Sequence, residues 1–390
     1  MIELFKKEKD CCGCTACMSI CPNNAISMYE NDRGFIMPQI DDRNCVECGL
    51  CMKVCDFKVF KPENNTPSAY AFRINNTNAL MTSQSGGAAA AFAETIINLG
   101  GVVFGSELTK EFHVEHKMEC DLKGIEKFKG SKYVQSDLKE CFRELKECLD
   151  TGKKCLFTGT ACQTHGLLRY LEMQKVDLSN LYTMDIICHG VPSSGVWKKY
   201  IQALQKKQNS KLISLKFRDK KFAGWHSHVE KYKFADGKIL HSDAYANVFY
   251  NHVLFRDSCF NCKYTTTNRK SDLTVGDFWG IEKVTEDFND NKGVSVIITG
   301  TEKGEQLLSK MKNIALIKQV PLESVLQPQL ISPPKKGWRY NGFWMLYSKN
   351  SEKAINKFFF PSKLRKDMNM YLRKCNGFYC KIKAKIHKKR

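Results

Sequence analysis

Two runs of cysteine share one spacing. Cys11, Cys14, Cys17 and Cys21, followed by Pro22, and Cys45, Cys48, Cys51 and Cys55 both read C-x2-C-x2-C-x3-C. Short loops of that spacing wrap a cubane iron–sulfur cluster, and thiolates suit soft, charge-delocalising iron. In two-cluster ferredoxins the fourth cysteine of each run ligates the other cluster. One cluster is therefore expected on Cys11, Cys14, Cys17 and Cys55, and the other on Cys45, Cys48, Cys51 and Cys21. Gly13 and Gly49 let the backbone approach them and free amides for the sulfides. Pairs of C-x2-C also mark structural zinc, but a C-x2-C-x2-C triplet is unusual for that ion. Asp56 stands where a proline normally follows the second run. Cys12 interrupts the spacing and reads as a bystander. Residues 1–62 thus read as a ferredoxin-like domain with two 4Fe-4S clusters, made from an internal repeat. The Pro- and Asn-bearing stretch 56–68 reads as a linker.

A chain of 390 residues with 43% hydrophobic content needs more than that head. No apolar run reaches membrane-spanning length and the N-terminus lacks a secretory pattern, so the expected location is the cytoplasm. In a reducing compartment the 19 cysteines are metal ligands or thiols before they are disulfides. Of the formal charge of +20, residues 351–390 carry +11: thirteen Lys and Arg against Glu352 and Asp367. No nucleic-acid-binding motif accompanies that charge. A basic tail is usually solvated, and an acidic redox partner such as a ferredoxin, or peripheral contact with an anionic membrane, suits it better.

Behind the head, short apolar runs alternate with helical periodicity. SQSGG precedes the alanine-rich helix AAAAFAETIINL and a VVFG strand. Leu138, Cys141, Phe142, Leu145, Cys148 and Leu149 follow helical spacing, which puts Cys141 and Cys148 on a buried face. Strands are expected at 155–157, 182–187, 273–275 and 294–298, with a hairpin around Asp236-Gly237. The alternation implies a largely parallel or mixed sheet. Cys259 and Cys262 form half a metal site. Cys162 and Cys188, each just after an expected strand, are the best candidates to complete a third cubane, since such sheets gather ligands at strand ends; bound zinc or no metal are the alternatives.

Cubane clusters move single electrons, whereas most organic substrates react by two. A flavin links the two regimes. Neither G-x-G-x-x-G nor G-x-x-x-x-G-K-[ST] occurs. Ser83, Gln84, Ser85, Gly86 and Gly87, and Thr158, Gly159 and Thr160, sit at helix starts where a diphosphate binds well, although plain helix caps have the same composition. Lys132 and Tyr133 add a cation and a ring. His189, beside Cys188, is the candidate proton donor, with a structural histidine as the plainer reading; no other catalytic residue stands out. His226 and His228 read as surface groups on one side of a strand-like run.

The segments SQSGGAAAAFAETIINLGG, KGSKYVQSDL, LFTGTACQ, DIICHGVPS, FRDSCFNCKYTTTNRKSDLTVGDFWG and GVSVIITG resemble the coenzyme F420 hydrogenase/dehydrogenase beta-subunit family over roughly residues 1–330. The resemblance implies FAD, a cubane in the body, and electron exchange between a deazaflavin or another partner and iron–sulfur centres. It favours Cys162, Cys188, Cys259 and Cys262 as third-cluster ligands. It places FAD near Ser83–Gly87, Lys132, Tyr133 and Thr158–Thr160, with Asp277 as a flavin or structural contact. The fold class read here is α+β. A ferredoxin-like domain (1–62) precedes an α/β flavin-binding body (69–150 and 151–335) and a basic helical tail (350–390). The expected function is an iron–sulfur flavoprotein oxidoreductase using F420, ferredoxin or another two-electron substrate. The alternative is a noncatalytic electron-transfer or docking subunit of a larger complex, with a bacterial polysaccharide-related pathway as one setting.

Overall fold

The structure, a computed structural model, describes residues 2–288 and 290–361. In the head, a helix (Ala16–Ile20) holds Cys17 within the first cysteine run, an antiparallel hairpin comes next (β1 Ile26–Glu30, β2 Ile36–Ile40), and a helix (Leu50–Lys53) holds Cys51 of the second run. The linker expected from residue 56 starts later. Asp56–Val59 is a helical turn, and Asp56 is buried with its carboxylate accepting from Tyr264 Oη at 2.9 Å. An acidic residue is favoured in a first helical turn, as proline is. The missing proline therefore costs the turn nothing.

The body is built on eight strands: β3 (Ser68–Ile74), β4 (Val102–Leu108), β5 (Val114–Glu119), β6 (Cys155–Thr160), β7 (Leu181–Ile186), β11 (Leu273–Asp277), β12 (Ser295–Thr299) and β13 (Ala315–Val320). Their order across the sheet is β13-β3-β12-β11-β7-β6-β4-β5. The central strands β4, β6, β7 and β11 are mutually parallel; β5 on one flank and β12 and β13 on the other run opposite to them, while β3, between β12 and β13, runs with them. Successive residues of a strand face opposite ways. Val103 and Leu156 accordingly meet the helix Ala88–Asn98, while Val102, Phe104, Cys155 and Phe157 meet the helices Cys141–Asp150 and Ala161–Met173. Both faces are covered, as continuous apolar strands require. On the Cys141–Asp150 helix Cys141 is buried as expected, but Cys148 is only half-buried beside Met118.

A second sheet, β8 (Leu212–Lys216), β9 (Glu230–Phe234) and β10 (Ile239–Ser242), packs with the helix Ser194–Gln208 and two terminal helices, Tyr340–Lys349 and Ser351–Phe359. The basic tail therefore starts inside the core. Ala354, Ile355, Phe358 and Phe359 are buried because they recur at helical spacing, while Glu352, Lys353 and Lys357 face water. The remainder of the expected tail, 362–390, lies outside the described residues. Among those described, no helix is long and apolar enough to cross a membrane.

Head and body share a broad seam. Arg143 donates to the carbonyls of Met18, Ser19 and Cys21, and Arg256 to those of Cys11 and Ile36. Arg33 pairs with Asp257 at 2.7 Å and lies 4.2 Å over Trp344. At the hairpin turn Gly34 meets Gly195 backbone to backbone. A Cβ on Gly195 would stand 2.7 Å from the Cα of Gly34, so only glycine allows this approach.

Candidate functional site

The carboxyl ends of β6, β7 and β11 lie side by side, with Thr158 paired to Met184 and Thr160 to Ile186. Open sheets bind ligands beyond such ends. A cavity of about 330 Å³ opens there. Ser83, Gln84, Ser85, Gly87, Lys132, Tyr133, Thr158, Gly159 and Thr160 line it, as do Cys188, His189 and Asp277. Gly86 lies beneath the wall. Its amide donates to Ser295 Oγ at 3.0 Å, and a Cβ there would strike the carbonyl of Phe72. Gly87 adopts φ +87° to open the Ala88–Asn98 helix. Ser85 Oγ donates to the carbonyl of Val294, and Lys220 Nζ reaches the carbonyls of Leu80, Ser85 and Lys292 from below. The loop is thus pinned to β12 and held open toward the cavity. Ser83 Oγ and Gln84 Nε2 are buried there without a hydrogen-bond partner, the sort of orphaned polar atoms that a bound group would satisfy.

Other members of this wall are already engaged. Lys132 Nζ donates to the carbonyls of Lys127, Phe128 and Lys129. Burial pulls it down to about 7, so it is a weaker phosphate cation than the sequence suggests. The Thr160 amide is capped by Gln163 Oε1 at 3.0 Å, the plain helix-cap role. Asp277 accepts from Arg218 and from Trp225 Nε1, both at 2.6 Å, so its part is to brace the cavity mouth. His189 Nδ1 accepts from the Gln329 amide at 3.0 Å, which leaves its proton on Nε2, and burial holds the ring well below its ordinary value. His116 escaped the sequence reading. Buried on β5, it bridges Ser136 Oγ (2.6 Å) and the carbonyl of Thr158 (2.9 Å) and fixes the end of β6. The only sequence clue was a histidine with apolar Val114 and Met118 two positions away on either side, a pattern too common to single out. His228 is half-buried rather than a surface group, its Nδ1 meeting Tyr250 Oη at 3.2 Å, because residues 220–229 loop inward instead of forming a strand.

The cysteines gather as three sets. Cys17 lies within electrostatic reach of Cys14, Cys11 and Cys55. Cys21, Cys45, Cys48 and Cys51 wall one surface depression, with Cys48 exposed. Cys259 lies within reach of Cys188, Cys262 and Cys162. In this last set burial pushes Cys188 up to about 12 and Cys262 up to about 11, each opposed further by the charge of Cys162. Thiols so crowded ionise together only around a compensating cationic core. Thr160 Oγ1 lies 3.2 Å from Cys162 Sγ, and the Val191 amide donates to Cys259 Sγ at 3.3 Å, contacts that tune a cluster's sulfurs. Thr15, Thr164 and Ser258 hold buried hydroxyls without partners next to these sets. Among the described residues no three His, Cys, Asp or Glu side chains close around a single ion. Cys12 is not idle in position, since it packs against the same small apolar cluster as Cys55, Cys162 and Cys262 and lies within electrostatic reach of Cys14 and Cys162.

Comparison with known proteins bears on this arrangement. Residues 10–59 match the 4Fe-4S dicluster domain, and residues 152–325 match the C terminus of the coenzyme F420 hydrogenase/dehydrogenase beta subunit. The chain thus carries the C-terminal domain of the coenzyme F420 hydrogenase/dehydrogenase beta subunit behind a 4Fe-4S dicluster domain. The segment matched in the body runs from just before β6 to beyond β13 and holds all four body cysteines. No curated protein matches the chain. A chain of the F420-reducing NiFe hydrogenase complex from Methanosarcina barkeri aligns at 16% identity over 74% of this chain and 90% of that one, with a TM-score of 0.44. An iron–sulfur electron-transfer role follows from the dicluster head and the beta-subunit domain behind it.

Proposed function

We propose that the chain is an iron–sulfur flavoprotein oxidoreductase. Cys11, Cys14, Cys17 and Cys55 would hold one 4Fe-4S cluster and Cys21, Cys45, Cys48 and Cys51 a second. Cys162, Cys188, Cys259 and Cys262 would hold a third, and the cavity would hold FAD. One observation carries the reading: Cys188 belongs to the body cysteine set and also lines the cavity. A cluster on that set and a ring in that cavity would share a wall. The bound FAD would supply the exchange between one-electron and two-electron steps.

The chain's own residues have defined parts in this reading. Ser83 Oγ, Gln84 Nε2 and the loop amides not already engaged, unlike those of Ser83 and Gly86, would hold the diphosphate at a helix start. Tyr133 and the alanines of the following helix present flat apolar surface to the ring. Asp277, locked by Arg218 and Trp225, keeps the mouth in shape. The exposed Cys48 marks the outer cluster as the place where a partner, an acidic electron carrier or a dehydrogenase subunit, exchanges electrons. The seat of this chemistry would be the reducing cytoplasm. Coenzyme F420, ferredoxin and a nicotinamide are the donor or acceptor classes, and the potentials that decide the direction depend on the clusters' surroundings.

Anaerobic reconstitution, cofactor extraction and a donor screen test the proposal. Brown protein with about 12 iron atoms per chain, ~4 per cubane, should release a yellow chromophore on denaturation and bleach with reduced F420, NAD(P)H or reduced ferredoxin. Full iron without a flavin would favour the noncatalytic carrier. A colourless protein would overturn both readings.

A further inference from the structure

Thiolate-held clusters conduct electrons but not protons. Reducing a flavin by two electrons consumes at least one proton. One wall of the cavity contains a continuous polar thread. The hydroxyl of Tyr133 meets that of Tyr250 at 3.1 Å, and the Tyr250 hydroxyl meets His228 Nδ1 at 3.2 Å. Both tyrosines line the cavity, whereas His228 stands behind them, half-buried, with its ring 4.3 Å from that of Tyr250. The exposed His226 lies two residues away, so the outer end of the thread is close to solvent.

Each member of this thread both donates and accepts. A phenol hydroxyl gives one proton and accepts another, and an imidazole can take a proton on one nitrogen and release it from the other. No acceptor-only carboxylate or donor-only ammonium interrupts the three. By rotation of the hydroxyls and change of tautomer the thread can point either way.

We propose that Tyr133, Tyr250 and His228 form a proton path between solvent and the cavity, an inference that rests on the flavin reading of that cavity. The balance is simple. Two electrons arrive from the clusters, one proton enters at His228, passes to Tyr250 and then to Tyr133, and the oxidised flavin becomes its reduced anion. Oxidation sends the same proton outward. No further co-reactant is needed. The groups that face His228 suit passage rather than storage. Burial and the Arg218 guanidinium keep the ring neutral, His189 adds to that, and Asp277 opposes it while remaining bound to Arg218. Trp279 and Tyr250 supply the remaining walls.

Two measurements on the full chain test the path. In flavin-free protein labelled with 15N-histidine, His228, assigned by its loss in His228→Gln, should show a hydrogen-bonded Nδ1 that changes in Tyr250→Phe. An unchanged ring would mean that the thread does not exist. In reconstituted protein, rapid mixing with dithionite should bleach the flavin roughly tenfold to a hundredfold more slowly in Tyr250→Phe and His228→Ala. Added imidazole should restore the rate of His228→Ala, and flavin affinity, read by fluorescence quenching, should stay within about twofold in both. Variants that bind flavin and bleach at the wild-type rate would overturn the path alone. A wild-type chain that binds no flavin would overturn the flavin reading and the path together.

Discussion

The head and the body bring cysteines together in different ways. In the head each set comes from closely spaced runs, and the fourth member is less than forty residues away. In the body, Cys162 follows β6, Cys188 follows β7, and Cys259 and Cys262 sit on a turn some seventy residues later. The head set at Cys48 opens to solvent, and the four body cysteines are half-buried at the sheet ends. A locally wound cage can form wherever its loop can curl. One assembled from distant segments exists only once the strands have paired. Exposure suits the first to partner contact, and the wall it shares with the cavity through Cys188 suits the second to a bound group there.

The sharpest way to break this comparison is Cys259→Ala. Iron should fall by about a third, from ~12 to ~8 atoms per chain, with the head's charge-transfer absorption kept. Unchanged iron would remove Cys259 from the ligands, and total loss would mean that the two regions do not load independently.

Next in size is a pH effect confined to the body. Glu230 is fully buried at the start of β9 and accepts from Tyr232 Oη and the Ala246 amide, and burial pushes it up to about 8. A carboxyl raised in the folded state keeps its proton there while the unfolded chain releases it. Its contribution is full below about pH 4.5 and lost as pH rises through about 8, at no more than about 1.4 kcal/mol per pH unit. Urea titrations of Glu230→Gln should lack that slope, and a parallel slope in variant and wild type would refute it.

The smallest effect probes the seam. Gly195→Ala places a methyl against Gly34, which should cost about 1–3 kcal/mol of overpacking. Thermal unfolding should show the head absorption lost at a lower temperature while flavin binding at room temperature is unchanged. An unaltered transition would mean that the hairpin turn yields freely.

Much of this was readable beforehand because it is local. Spacing identifies the head cages, and runs such as Cys155–Phe157 and Leu273–Val275 carry β-propensity wherever they lie. The flanking strands β3, β5 and β13 were not foreseen. They mix polar and apolar residues because one side or end meets solvent, as in β13, where Leu316, Lys318 and Gln319 are exposed. At the cavity, the loops could be named from their glycines and hydroxyls. Which atoms were already committed could not, since the carbonyls that hold Lys132 and the Arg218–Asp277 pair are partners by tertiary contact alone. The same limit hid the buried side of the Ser351–Phe359 helix, whose lysines dominate any count of charge.

The clasp of Arg33 by Asp257, Tyr340 and Trp344 has a consequence for biogenesis. The hairpin leaves the ribosome long before the aromatic residues that close over it. The front of the polypeptide therefore has an interval during translation in which iron–sulfur carriers could reach its thiols unhindered, whereas the interior quartet is complete only after Cys262 has been made and the sheet has closed. Maturation would follow the direction of synthesis, with the last helices sealing what was loaded first.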